Sequence, residues 1–341
     1  MENFLLAEKL KSVQTLHTFA LPAYCESVVD VNSIDDIHSF LNDVQDKLYY
    51  VIGQGSNTAF VSDFNGLVLR VNLNEIELNE TVDSFRLTVG SGVGWHDLVK
   101  WCLARGINGF ENLALIPGSV GASPIQNIGA YGIEVERFVT QVDYVCCQMN
   151  VLKSLSHEQC CFAYRDSIFK HALYQRGIIT KVHFRVPKAW QPILHYGELA
   201  ALIKPTAQDV FDKVVAIRSA KLPDPKVLGN AGSFFKNPVI SHSEFLYFKQ
   251  KWPTLPHYPA GINKVKLPAA WLIDTLGFKG QTLGGIRCHP QQALVLTNLG
   301  SGQGPELLTL ARIIKRAVFA EFAISLENEV QLIGQDGPVK L

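Results

Sequence analysis

Residues 111–134 read ENLALIPGSVGASPIQNIGAYGIE. Between Glu111 and Glu134, 22 residues pass without a charge, but Pro117, Pro124, four glycines and the amides of Gln126 and Asn127 interrupt them. A bilayer helix must satisfy its whole backbone internally, which this composition prevents. Glycine lets a main chain approach a ligand where a Cβ would intervene. Loops of this length without secondary structure are uncommon in compact domains and usually functional. The stretch is read as a loop that cradles a ligand.

The rest of the chain gives this loop a globular setting. At 341 residues, two or three domains are expected. Hydrophobic residues make up 47% and charged residues 18%, which supplies ample core. Lys plus Arg and Asp plus Glu both number 31, and no long basic run occurs, which argues against a nucleic-acid partner. A small anion can still be held by a local cluster. The start, MENFLLAEKL, lacks the pattern of a leader, and no run of 18 apolar residues follows. The chain is therefore expected to be cytoplasmic and off the membrane; a monomer is expected, though the residues do not fix the oligomeric state. Of the seven cysteines, 146–147 and 160–161 are adjacent pairs, and no C-x-x-C occurs. Adjacent strand residues point to opposite faces, so neither pair clamps a metal. His157, three residues before Cys160, is the nearest approach to a ligand pair, and reduced structural thiols are the better reading.

Periodicity places the elements around the loop. Ser33 caps a helix whose apolar face is Ile34, Ile37, Phe40 and Leu41. Strands are expected at LYYVIG (48–53), GLVLRV (66–71) and RLTVG (86–90), and a helix at Trp95, Leu98, Val99, Cys102 and Leu103 that stops at Gly106. Further strands follow in 138–156 and from residue 178. Thr206 opens a helix with Val210, Phe211, Val214 and Ile217, and a domain boundary is placed near Leu202–Asp212. Pro305 suits a first helical turn before Leu307, Leu310, Ile314 and Val318. ISLENEVQLIG (324–334) reads as the last strand.

GQGSN (53–57) follows a strand and begins like a dinucleotide fingerprint. Position 58 is Thr rather than Gly, and a strand follows instead of a helix, so a Rossmann site is excluded. Backbone N–H groups in such a turn still form an anion-binding concavity. Together, GQGSN and the charge-free stretch suggest two walls of one dinucleotide site.

GQGSN, residues 111–132, FAYRDSIFK (162–170), KLPDPKVLGNAGSFFKNP (221–238) and LENEV (326–330) occur in one order. That series resembles the UDP-N-acetylenolpyruvoylglucosamine reductase family of bacterial cell-wall flavoenzymes, over nearly the whole chain. WQPILHYGEL (190–199) is similar to the tyrosine-bearing loop of the family's longer subtype. The resemblance implies an α+β protein with a FAD-binding fold of the vanillyl-alcohol-oxidase type. Residues 1–70 and 71–207 would be its two subdomains, the second joined by 324–341, and 208–323 a substrate-binding domain. It implies bound FAD, NADPH as reductant, and an enolpyruvyl ether of UDP-N-acetylglucosamine that is reduced to UDP-N-acetylmuramate for peptidoglycan.

By that resemblance, FAD is held by Gly53, Gly55, Ser56, Asn57, Pro117, Gly118, Ser119, Gly121, Ala122, Ile125, Gln126, Asn127, Gly129, Ala130, Tyr131 and Gly132. Arg165 resembles the arginine near the substrate carboxylate, where its fork of donors suits two oxygens. Glu329 resembles the catalytic glutamate and Ser233 the proton donor. Lys221, Asn237 and Tyr196 would hold the pyrophosphate, with Arg218 and Gln292 on the same surface. Relatives often carry LEPEVR where this chain has LENEVQ, so no arginine stands at position 331 to orient Glu329. On the residues alone, Arg165 could instead pair with Asp166, and Ser233 could be an ordinary loop residue. The alternative activity is a flavin oxidase of the same superfamily acting on a small alcohol. A serine hydrolase is excluded, because no G-x-S-x-G surrounds Ser233.

Overall fold

In the computed structural model, residues 10–341 are described; residues 1–9, most of the stretch read above for a leader, lie outside them. The chain divides into two compact units. One comprises residues 26–55 and 66–220; the other comprises 56–65, 221–341 and the amino-terminal residues through Cys25.

The first unit is built on a five-stranded antiparallel sheet, in the order Val151–Ser156, Val139–Cys146, Gly177–Pro187, Ser84–Gly90, Ile76–Glu80. Along Gly177–Pro187, Thr180, Val182, Phe184 and Val186 are buried, while Lys181, His183 and Arg185 face outward. That alternation is expected of an antiparallel sheet with one solvated face. Its inner face meets the helix Trp95–Leu103, whose Trp95, Leu98, Val99 and Cys102 are buried. Phe110 joins them edge-on to Trp95 and Phe184, each ring at 5.6 Å. A second core lies under the helix Ile34–Val44, where Ile37, Phe40 and Val44 pack on Leu69, Val71 and Leu73. Ser33 caps that helix with a reciprocal pair: its Oγ accepts from Asp36 N–H at 3.1 Å, and Asp36 accepts from Ser33 N–H at 3.0 Å. The helix Ala207–Lys221 buries Val210, Val214 and Ile217 in the larger core. By its contacts the unit runs on to Ala220.

The second unit carries a four-stranded sheet ordered Gly229–Ser233, Val295–Asn298, Ile286–Cys288, Thr282–Leu283, with antiparallel neighbours. The helix Gly304–Phe322 has Pro305 in its first turn and buries Leu307, Leu310, Ile314, Val318 and Phe322. In a further small sheet, Thr58–Phe60 pairs in parallel with Gln331–Gly334. Only those last four residues of the strand expected at 324–334 form one. Ile324, Leu326 and Val330 are buried in the core without a ladder, and Asn328 turns its amide onto the Val330 carbonyl at 2.8 Å. Helices and several sheets thus make an α+β chain.

Burial pushes the thiols of Cys102, Cys160 and Cys288 up to about 12, which leaves them unreactive. The seven cysteines are free. Among the described residues no helix is long and apolar enough to cross a membrane, and no group of three His, Cys, Asp or Glu side chains is placed to hold a metal.

Candidate active site

Within the first unit the charge-free stretch folds into short pieces. One-turn helices at Glu111–Leu113 and Val120–Ala122 precede a small hairpin, in which Gly129 and Ala130 pair with Glu134 and Ile133. Tyr131 (φ +49°) and Gly132 (φ +86°) close it, as a tight two-residue turn with positive φ at both central positions requires. Leu115, Asn127 and Arg165 also hold positive φ, at +57°, +45° and +54°. Such conformations cost free energy in non-glycine residues and gather at ligand clamps.

Three backbone segments meet at the glycines. Gly121 N–H donates to the Ser91 carbonyl at 2.9 Å, Val120 N–H to Val93 at 2.8 Å, and Trp95 N–H to Gly118 at 2.8 Å. A Cβ on Gly53 would stand 2.5 Å from Ser119 Oγ, and one on Gly121 would overlap the Ser91 Cβ. Gly118, Ser119 and Gly121 are buried, Ala122 and Gln126 half-buried, and Pro117 and Ile125 exposed. Gly55 takes φ +63° in its turn. Asn127 uses its side chain within the protein: Nδ2 donates to Glu134 at 3.1 Å and Ala163 at 3.2 Å, and Oδ1 accepts from Glu136 N–H at 3.1 Å. Any ligand contact by Asn127 falls to its main chain.

Arg165 sits in a tight turn closed by reciprocal backbone bonds between Ala163 and Asp166, both 3.1 Å. Its Nη2 donates to the Gly129 carbonyl at 2.9 Å, tying the turn to the hairpin. The Asp166 carboxylate meets His171 at 2.8 Å. Arg218, on the helix Ala207–Lys221, has a buried Nε with no hydrogen-bond partner among the described residues. Burial pushes its guanidinium below the usual range; Tyr131 pulls it up, and Arg165 pushes it further down. Two guanidinium groups therefore feel each other beside Tyr131, an arrangement that an anion with several oxygens would relieve. The Tyr196 ring meets Tyr131 edge-on at 5.9 Å and remains 41% exposed.

The second unit assembles the other candidates. Glu329 N–H donates to the Phe234 carbonyl at 2.8 Å, and Asn57 Nδ2 donates to the Glu329 carbonyl at 3.1 Å. Gln331 N–H donates to the Asn57 carbonyl at 2.9 Å, so the end of GQGSN is built into the same backbone, next to half-buried Ser56. Ser233 pairs with Val295 just past an irregularity in the ladder, after Gly232 at φ +71°. Gln292 accepts from Val295 N–H at 3.0 Å through its carbonyl. Ser233, Gln292 and Glu329 thus lie on neighbouring backbone segments. Asn237 Oδ1 accepts from Ala269 N–H at 2.9 Å at the start of the helix Ala269–Thr275, which leaves its amide N–H groups for other partners. Lys221 is exposed.

Sequence reasoning missed the residues that support these groups. Ser91 Oγ and Thr180 Oγ1 are buried without a hydrogen-bond partner among the described residues. Glu111, one of the two charges bounding the stretch, accepts from the Trp190 indole. Its position was legible as a lone carboxylate against apolar sequence; its distant donor was not.

A family model described as UDP-N-acetylenolpyruvoylglucosamine reductase, C-terminal domain, matches residues 224–333, and one described as FAD binding domain matches 25–153. The chain is 57% identical over 332 residues to the UDP-N-acetylenolpyruvoylglucosamine reductase of Pseudoalteromonas atlantica, covering 97% of this chain and 96% of that protein. The Pasteurella multocida enzyme is 45% identical over 334 residues, covering 97% and 98%. In fold, the chain is similar to the crystal structure of the Thermus caldophilus enzyme, with a TM-score of 0.67 at 20% identity over 95% of this chain and 98% of that one. The fold class is the expected α+β one with a FAD-binding domain. The residues present fit that cofactor: close-packed glycine backbone, spare buried hydroxyls at Ser91 and Thr180, and no charged residue from 112 to 133. Gly121→Ala is expected to cost about 1–3 kcal/mol by overpacking against Ser91. It should lower the flavin-to-protein absorbance ratio together with the urea midpoint. With relatives this similar over almost its full length, the chain belongs to the UDP-N-acetylenolpyruvoylglucosamine reductase family.

Proposed function

We infer that the chain reduces the enolpyruvyl ether of UDP-N-acetylglucosamine to UDP-N-acetylmuramate, as a FAD-containing oxidoreductase that uses NADPH in peptidoglycan precursor synthesis. The observation that carries the site reading is the bond from Arg165 Nη2 to the Gly129 carbonyl at 2.9 Å, which sets a guanidinium against the glycine stretch. FAD, when bound, supplies the hydride that NADPH has given it. The glycine turn at 53–55, Ser56, Asn57 and the stretch 117–132 hold that cofactor through backbone N–H groups, hydroxyls and amides.

The chain's own residues govern the charge and the proton. Hydride addition to the terminal carbon of the enolpyruvyl group moves negative charge toward the carboxylate. Arg165, already oriented by its bond to Gly129, holds the carboxylate through its guanidinium. Arg218 is the neighbouring cation. Glu329 stabilises the enolate, and Ser233 gives its hydroxyl proton to the α-carbon. Tyr196, Lys221, Asn237 and Gln292 hold the nucleotide pyrophosphate, lysine as a point charge and the others as neutral donors. Gln331 places no charge two positions after Glu329, so on this reading the glutamate is not oriented from position 331. The enzyme acts in the cytoplasm as a monomer, without a nucleic-acid partner. Three domains divide the work, the subdomains 1–70 and 71–207 with 324–341 for FAD and 208–323 for substrate.

Anaerobic titration tests this reading. NADPH should bleach the flavin absorbance, and the enolpyruvyl sugar nucleotide should restore it with oxygen excluded. Protein without flavin absorbance would overturn the reading, and reoxidation by oxygen alone would favour the alcohol oxidase.

A further inference from the structure

Residues 190–196, which carry Tyr196, are fastened to the glycine stretch by two buried polar residues that the mechanism does not use. Trp190 Nε1 donates to Glu111 Oε1 at 2.5 Å, and Gly109 N–H donates to the other carboxylate oxygen at 2.6 Å. Glu111 is only 3% exposed. A carboxylate so deep is tolerated only while its oxygens are hydrogen-bonded, which makes the indole N–H hard to replace by chance. Next to it, Asn112 is fully buried, and its Nδ2 donates to both the Tyr131 carbonyl and the Ile193 carbonyl, each at 2.9 Å. One amide therefore fixes the hairpin tip and the loop at a single point, and Tyr196, the ring partner of Tyr131, stands three residues on from Ile193. Gly132 allows the approach: a Cβ there would stand 2.8 Å from His195 Nε2.

We infer that Glu111 and Asn112 are positioning residues for the sugar-nucleotide substrate. Through Trp190 and Ile193 they hold the loop so that Tyr196 stands against Tyr131. The inference rests on the reading of Tyr196 as a substrate ligand. Glu111 and Asn112 act through the loop and touch no reacting atom.

The FAD-loaded Trp190→Phe protein tests it, since phenylalanine keeps much of the packing and removes only the N–H from the clasp. Amide hydrogen exchange over 191–196 should quicken while the rest of the chain is unchanged. KM for the enolpyruvyl substrate should rise about tenfold, as for loss of a hydrogen bond to a charged group. The rate of flavin bleaching at saturating NADPH should stay the same. Tyr196→Phe should raise KM as well, and the double variant should be no worse than Tyr196→Phe alone. Unchanged exchange in 191–196 would overturn the clasp, whatever Tyr196 does. Quickened exchange with an unaltered KM in Tyr196→Phe would instead remove Tyr196 from substrate binding, and with it the positioning role. Equal slowing of both half-reactions in Trp190→Phe, or additive effects in the double variant, would reduce the clasp to a general support of the fold.

Discussion

Replacing Ser233 with alanine should leave NADPH bleaching of the bound flavin at its normal rate and slow reoxidation by the enolpyruvyl substrate by about 10²–10⁴-fold, the range for loss of a positioned proton donor. The backbone around Ser233 is independently fixed. Gly232 N–H donates to Asn230 Oδ1 at 3.0 Å, and Phe234 N–H donates to the Leu294 carbonyl at 2.7 Å. Alanine keeps the Cβ and disturbs neither bond, so the change removes a hydroxyl and little else. A serine hydroxyl is a weak acid, and its use is sensible only against a carbon as basic as an enolate. Anaerobic stopped-flow absorbance separates the two half-reactions. Equal slowing in both would remove Ser233 from the proton transfer.

Glu329→Gln should lower the oxidative half-reaction by about 10²–10³-fold, as for removal of one preorganised electrostatic group at a developing oxyanion. Its main chain is tied at both ends, by N–H to Phe234 and by the carbonyl to Asn57. Glutamine therefore starts from the same place, and any loss reports on the carboxyl group. Flavin content and the NADPH half-reaction should be retained. Retained oxidative turnover in Glu329→Gln would show that the backbone at 329, rather than its side chain, is what the family motif supplies. Asn328 and Gln331 are part of this framework: the Asn328 amide closes onto Val330, and Gln331 N–H reaches Asn57.

Much of the architecture was written in local chemistry. Ser33 with Asp36 and Thr206 with Asp209 mark helix starts because the side chain and backbone that bond are three residues apart. Pro305 marks one because its ring suits a first turn. Where the sequence misled, the cause was tertiary. Ile324, Leu326 and Val330 look like one face of a strand, and they are buried, but the segment pairs only through a single bridge between Asn328 and Phe235. The same limit applies to the site. Residue types at Arg165, Ser233 and Glu329 were legible through the family motif. The left-handed backbone of Arg165, with no glycine to announce it, was not. Nor was the proximity of Arg165 to Arg218, or the clasp from Glu111 to Trp190, because each joins residues more than fifty positions apart.

The parallel pairing of Thr58–Phe60 with Gln331–Gly334 has a consequence for how the protein is made. A ribosome delivers residues 58–60 early, and their partner strand only after more than 270 further residues. The unit of residues 26–55 and 66–220 has every strand of its five-stranded sheet once residue 187 has emerged, so it can fold while synthesis continues. The other unit cannot close until residue 334 is free. Glu329, and the carbonyl that receives Asn57, therefore come into place among the last events of biogenesis. A nascent chain halted short of them holds a complete five-stranded sheet while Thr58–Phe60 still lacks its partner strand.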